Sequence, residues 1–349
     1  MRSILVSLVV LLCANLLLAA ERPTTGKKVE AYTAVDKVIL DFLDTIDAQA
    51  ATVAIGKNSE LLYSRGYGYQ DAAKKKHTAP DALMRIASVS KPITHAMVLK
   101  AIDEKLIAKD TKFYEYLDFK PFGGKLGDDR IKSITINQLL QHTGGWDREK
   151  SEDPMFNVKK FEKEMKLKTP VMAHNVVEYM LAQPLDFEPG EKTAYSNFGY
   201  CILGRVLEKA YKKPYAEVLS KLIAKPHKLA DILVGMASSK KRDPREVAYP
   251  IADDSYPLEV MDAHGGLVAS APAMCAYLDL YWLGGEERKA DQKARYTFFG
   301  SLPGTTALVL QRSDGTNVAV LINGRRDSKL ETDNEALKKN IERALDEKK

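Results

Sequence analysis

The chain of 349 residues is 45% hydrophobic and 28% charged, an ordinary globular composition with room for two domains or one large one and a core large enough to need no disulfide staple. Its 52 basic and 47 acidic residues give a net charge of +5, mixed along the chain apart from Lys74-Lys75-Lys76 and the lysine-rich stretch 159–168. Those runs read as solvated faces, so no nucleic-acid partner is expected.

Residues 1–20 read as an export signal, with Arg2 at the positive start, an apolar run over 4–18 and Ala19-Ala20 near a cut. The run is short for a membrane span, so no span is expected beyond this segment, and the mature protein is expected to be periplasmic or secreted. Export permits a disulfide between Cys201 and Cys275; their apolar surroundings suit buried free thiols equally. The histidines are scattered and no Cys/His cluster has ligand spacing, so neither a metal site nor a cofactor is expected.

From residue 34 to 48, Val35, Val38, Ile39, Phe42, Leu43 and Ile46 recur at helical period. Segments 51–55 and 60–67, separated by Gly56-Lys57-Asn58-Ser59, read as a β-hairpin. A short strand over 83–86 precedes a helix that begins near Ser90. Thr135-Ile136-Asn137-Gln138 fits a capping box, residues 146–170 read as a polar loop, and helices are predicted over 174–182, 198–211 and 214–224. Ser270-Ala271-Pro272 starts another helix. Strands over 305–311 and 317–323 flank the turn Ser313-Asp314-Gly315, and a final helix covers 328–346. Strands and packing helices therefore occupy the two ends, with helices between them. The expected domains are an α/β domain from 30–95 and 255–349 and a mostly helical insert over 96–254.

Ser88-Val89-Ser90-Lys91 carries the chemistry. A serine and a lysine three positions apart share one helix face, where the lysine amine can take the proton that makes a hydroxyl nucleophilic. The plain alternatives are a helix cap for Ser88 and a surface lysine for Lys91. Further on stand Leu139-Leu140-Gln141-His142-Thr143-Gly144-Gly145, then Tyr195-Ser196-Asn197 shortly after Pro189-Gly190, and then Gly265-Gly266-Leu267-Val268-Ala269-Ser270.

In order and spacing these segments resemble the serine β-lactamase and penicillin-binding-protein superfamily, over about residues 35–325. The Tyr-x-Asn form of the second motif is similar to that of class C β-lactamases, D-Ala-D-Ala carboxypeptidases and the related family VIII esterases. The segment 139–145 resembles the family's Leu-Leu-x-His-Thr-Ser-Gly, with glycine in place of the serine. The resemblance implies an α/β fold of the α+β type: an antiparallel sheet flanked by helices, an inserted all-helical domain, and a cleft between them. It implies Ser88 as the nucleophile of an acyl-enzyme whose own N–H is one oxyanion donor, Lys91 as its base, and Tyr195 as proton shuttle. A phenol, ordinarily titrating at about 10, needs a neighbouring cation for that task. Asn197 is implied as a substrate-binding amide that also accepts from Lys91.

The third motif departs from the family. Where Lys-Thr-Gly or His-x-Gly is expected, the chain has Phe298-Phe299-Gly300. Gly300 still permits close approach of the backbone, and Ser301 N–H is implied as the second oxyanion donor, but the cation beside a substrate carboxylate is missing. Such a loss costs about 1.5–3 kcal/mol for an anionic substrate. His264, in His264-Gly265-Gly266, is either a structural residue or a partial replacement for that cation. His142 reads as structural, and Trp146 either lines the cleft or packs. The expectation is an exported serine hydrolase acting on a small-molecule or peptide acyl substrate, a neutral ester or amide before a D-Ala-D-Ala peptide or a β-lactam. A non-catalytic binding protein of the same fold has no need of Ser88, Lys91 and Tyr195 together. The sequence carries no signal for an oligomeric state.

Overall fold

The structure, a computed structural model, describes residues 22–168, 170–252, 255–289 and 292–347; the export signal expected over 1–20 lies outside them. Strands β1 (Thr24–Thr25), β2 (Ala50–Lys57) and β3 (Glu60–Gly68) join β7 (Tyr296–Leu302), β8 (Thr305–Gln311) and β9 (Thr316–Ile322) in one antiparallel sheet of order β1-β3-β2-β9-β8-β7. The β2–β3 turn is Asn58-Ser59, both at positive φ, with Lys57 opposite Glu60. This is the geometry whose twist matches a tight hairpin. Gly56 and Lys57, expected in the turn, extend β2 instead, past a bulge at Ile55/Gly56.

Helices α1 (Thr33–Thr45) and α11 (Leu330–Asp346) cover one face of this sheet, and α2 (Ser90–Asp103) and α10 (Ala271–Leu280) lie on the other. The strand period of two sorts the core accordingly. Leu308, Leu310, Val318 and Val320 pack with Val35 and Ile39 of α1 and Leu337 and Ile341 of α11. Ala307, Val309, Ala319 and Leu321 join the core built with α2 and α10. Both faces are buried, which is why β8 and β9 read as continuous apolar runs.

Between the two halves of the sheet run α3 (Phe113–Leu117), α4 (Ile136–Leu140), α5 (Arg148–Ser151), α6 (Val158–Glu164), α7 (Ala173–Leu181), α8 (Asn197–Tyr211) and α9 (Tyr215–Leu219). The capping box is formed: Gln138 N–H donates to Thr135 Oγ1 at 3.2 Å and Thr135 N–H to Gln138 Oε1 at 2.9 Å. Two expectations are corrected here. Residues 146–170 are not a plain loop, because Asp147 and Asp153 cap short helical turns by accepting from Glu149 and Met155 N–H, and Phe161 anchors α6 by stacking on Tyr179. Nor is the insert all-helical. Strand β5 (Ile232–Val234) pairs with β6 (Leu267–Ala269), which pairs with β4 (Met84–Arg85). β4 lies within the strand expected over 83–86, whereas β5 and β6, of three residues each, are too short to show a strand period and are revealed only by the pairing.

Candidate active site

Ser88 sits in a 3-10 turn, Ala87–Val89, between β4 and α2. Ala87 is held at φ +47°, a left-handed conformation unfavourable for a residue with a Cβ. Ser90 secures the turn: its hydroxyl donates to Ala87 O at 2.7 Å and accepts from Leu267 N–H at 3.2 Å. Edge strand β7 presses on the same turn. A Cβ on Gly300 would lie 2.0 Å from Ile86 O and 3.2 Å from Ser88 N, so the close approach requires glycine.

Lys91, one turn along, is buried. Its ammonium donates to Asn197 Oδ1 at 2.6 Å and to His264 O at 2.7 Å, and reaches Ser88 Oγ at 3.5 Å. Burial pushes its pKa below the ordinary lysine value, against the opposing pull of Tyr195 and Asp153. Tyr195 precedes α8, whose first turn is capped by Ser196 Oγ accepting from Gly199 N–H. From there the Tyr195 hydroxyl donates to Ser88 Oγ at 2.9 Å. Its ring lies 4.7 Å from Lys91 Nζ and 4.8 Å from the Arg148 guanidinium. His142 stacks on this ring and accepts from Ser196 N–H through Nδ1 at 3.1 Å. Burial and the Lys91 charge push His142 down to about 4, so it is a neutral supporting residue. Trp146 is buried against Phe198 and Phe113 and belongs to the packing.

Ser88, Tyr195, Asn197, His264 and Ser301 line one cavity of about 280 Å³; Lys91 lies behind it, and Gly300 forms the contact between its wall and the Ser88 turn. Two expectations change here. First, His264 does not replace the missing cation. Its ring is buried, neither ring nitrogen meets a partner among the described residues, and burial beside Lys91 and Arg205 pushes its pKa well below the usual value. It is neutral, and its carbonyl holds Lys91. Second, the cleft is not without cations. Phe298 turns into the core shared with the helices, whereas Phe299 and Ser301, of opposite parity on the strand, line the cavity together with Arg148 and Arg325. Arg325, just beyond β9, is 3.4 Å from Ser301 Oγ and is paired with Asp327. No carboxylate is among the described residues lining the cavity.

Sequence reasoning missed Arg148, Asp153 and Arg325. Asp153 carried one signal, the Asp-Pro start of a helical turn. The two arginines carried none, since their relation to Ser88 exists only across the fold. Cys201 and Cys275 are buried free thiols, and burial pushes each up to about 12. No helix among the described residues is long and apolar enough to cross a membrane.

Residues 35–325 match the family described as Beta-lactamase. Among curated relatives, a probable fimbrial assembly protein FimD, serogroup H1, of Dichelobacter nodosus is 32% identical over 183 residues, covering 52% of this chain and 43% of that protein. Esterase EstB of Burkholderia gladioli is 27% identical over 245 residues, covering 64% of this chain and 57% of that protein. The chain thus spans less than half the length of the first and under two thirds of the second. The D-amino acid amidase of Ochrobactrum anthropi SV3 superposes with a TM-score of 0.70 at 18% identity, covering 91% of this chain and 99% of that one; the likeness is one of fold.

Proposed function

Because the chain belongs to the Beta-lactamase family, we propose that it is a serine hydrolase that acts on esters or amides through an acyl-Ser88 intermediate. The observation that carries this reading is the convergence of Tyr195 Oη at 2.9 Å and Lys91 Nζ at 3.5 Å on one hydroxyl, Ser88 Oγ. Burial favours the neutral amine of Lys91. As Ser88 Oγ bonds to the acyl carbon, its proton passes to Lys91, the Tyr195 hydroxyl proton goes to the departing oxygen or nitrogen, and Lys91 reprotonates Tyr195. Water then attacks the acyl-enzyme by the reverse path and restores the Ser88 proton. Ser88 N–H and Ser301 N–H are the proposed oxyanion donors, and Asn197 the substrate amide partner. EstB, named an esterase, and the amidase support the substrate classes.

A second reading, a D-Ala-D-Ala peptidase or β-lactamase, gains support from Arg148 and Arg325. These guanidiniums suit a carboxylate-bearing substrate, which the sequence alone disfavoured. The export reading of residues 1–20 would place either activity in the periplasm or outside the cell; the N-terminal mass of the mature protein tests it.

The deciding experiment runs p-nitrophenyl acetate and butyrate, nitrocefin and a D-Ala-D-Ala peptide on the native chain and Ser88→Ala in parallel, with fluorophosphonate labelling mapped by mass spectrometry. Turnover lost in Ser88→Ala, with the adduct on Ser88, is the expected result. A folded protein with no turnover on the panel and no adduct on Ser88 sinks the reading.

A further inference from the structure

Asp153 does not itself line the cavity but bonds Asn197, which does. Its Oδ2 accepts from Asn197 Nδ2 at 2.5 Å and its Oδ1 from Met155 N–H at 3.0 Å. Asn197 Oδ1 in turn accepts from Lys91 Nζ at 2.6 Å. Burial raises the pKa of the Asp153 carboxyl, against the pull of Asn197, Met155 N–H, Lys91 and Arg148; in its ionised form it only accepts, and Lys91, in the protonated form that precedes proton loss, only donates. An amide held between them therefore has one satisfactory orientation, NH2 toward Asp153 and carbonyl toward Lys91. A flipped amide would set donor against donor and acceptor against acceptor.

The backbone that delivers Asp153 is itself strained. Glu152 has φ +66° and ψ 167°, a region in which glycine is at ease and other residues are not. Pro154 follows as the first residue of the turn that Asp153 caps. The loop thus holds an unfavourable conformation at the point that turns this carboxylate inward.

The charges facing Lys91 come from several elements. Tyr195 and Tyr200 present rings at 4.7 and 5.8 Å. Arg148 and Asp153 act from the α5 region and the loop after it, and neutral His142 and His264 complete the surroundings. Arg148 disfavours the ammonium, while Asp153 favours it.

We propose that Asp153 is a positioning residue of the acylation site: it locks the Asn197 amide toward Lys91 and supplies the counter-charge that sets how readily Lys91 gives up its proton. The kinetic part of this proposal rests on the serine-hydrolase reading; the electrostatic part does not.

The test compares the native chain with Asp153→Asn, which keeps the shape and removes the charge, and Asp153→Ala, which removes both. Lys91 is titrated by NMR of ε-13C lysine, its signal assigned by loss in Lys91→Gln, and kcat/KM on p-nitrophenyl butyrate is followed against pH. In Asp153→Asn, both the Lys91 titration and the corresponding limb of the pH profile should move to lower pH by about one unit. In Asp153→Ala, kcat/KM at the optimum should also fall by about tenfold or more as the amide loses its orientation. An unmoved Lys91 titration overturns the proposal, as does a uniform loss of rate with an unshifted profile, which would mean that Asp153 only builds its loop. If no ester is turned over while the Lys91 titration still moves down, the hydrolase reading fails and the Asp153–Lys91 coupling stands. Asp153→Ser takes the place of Asp153→Asn if that variant does not fold.

Discussion

Tyr195 and Ser88 come from opposite sides of the cleft, and the phenol hydroxyl of one donates to the hydroxyl of the other across 2.9 Å. Tyr195 hangs from the start of α8 in the helical insert, while Ser88 rides the turn into α2. The contact therefore depends on how the insert sits against the sheet.

Tyr195→Phe keeps the ring stacked on His142 and removes only the hydroxyl. On the proposed mechanism kcat should drop about 10²–10⁴-fold, with KM little changed and the melting temperature nearly unaltered. Steady-state kinetics with a thermal melt on the same sample check this; an unaltered kcat would take Tyr195 out of proton transfer.

Arg325 gives a way to read substrate charge. A matched pair of p-nitrophenyl esters, hemisuccinate and butyrate, should show the ratio of kcat/KM values fall in Arg325→Gln by about 10- to 100-fold against the anionic ester, the equivalent of about 1.5–3 kcal/mol for a charge-assisted contact. Phe298→His should leave the ratio close to the native one, because that side chain turns into the core. A ratio that ignores Arg325 and responds at Phe298 would reverse the assignment.

Acid should weaken the fold through His142. Its pKa is about 4 in the native state, against about 6.5 in an unfolded chain. The unfolded state therefore binds more protons between these values. The stability held above about 6.5 is lost as pH falls toward 4, up to roughly 3 kcal/mol from this one group. Urea melts at pH 7.5, 5.5 and 4.5 should show the decline, and His142→Gln should flatten it. A slope identical in the variant would assign the acid sensitivity elsewhere.

Gly300→Ala adds one methyl group where Ile86 O leaves 2.0 Å. Either β7 or the Ser88 turn has to shift, and both carry proposed oxyanion donors. The expected outcome is a loss of about 1–3 kcal/mol in stability with kcat down about 10²-fold or more, measured by chemical denaturation and burst kinetics. Native values for both would show that the strand and the turn do not touch as tightly as described.

Local patterns and motif order carried much of this protein in one dimension. The apolar stripe of α1, the Thr135–Gln138 capping box and the β2–β3 and β8–β9 hairpins were legible, because each depends on neighbours within a turn or two; Ser88, Lys91, Tyr195 and Asn197 were singled out by motif, and the fold brings them together. The fold decided what lies across the cleft. Three-residue strands such as β5 have no readable period, and exist because β6 offers them partners. Phe298 and Phe299 are the same residue side by side in the sequence, yet strand parity sends one into the core and the other to the cavity. A missing lysine in the third motif implied a cleft without its cation; β9 and α5 return positive charge there through Arg325 and Arg148, residues far apart in the chain from the strand that lacks it. Asp153 reaches Lys91 only through an amide from a third element. Charge at a site is summed over everything that converges in space, and that sum is formed only when the chain is folded.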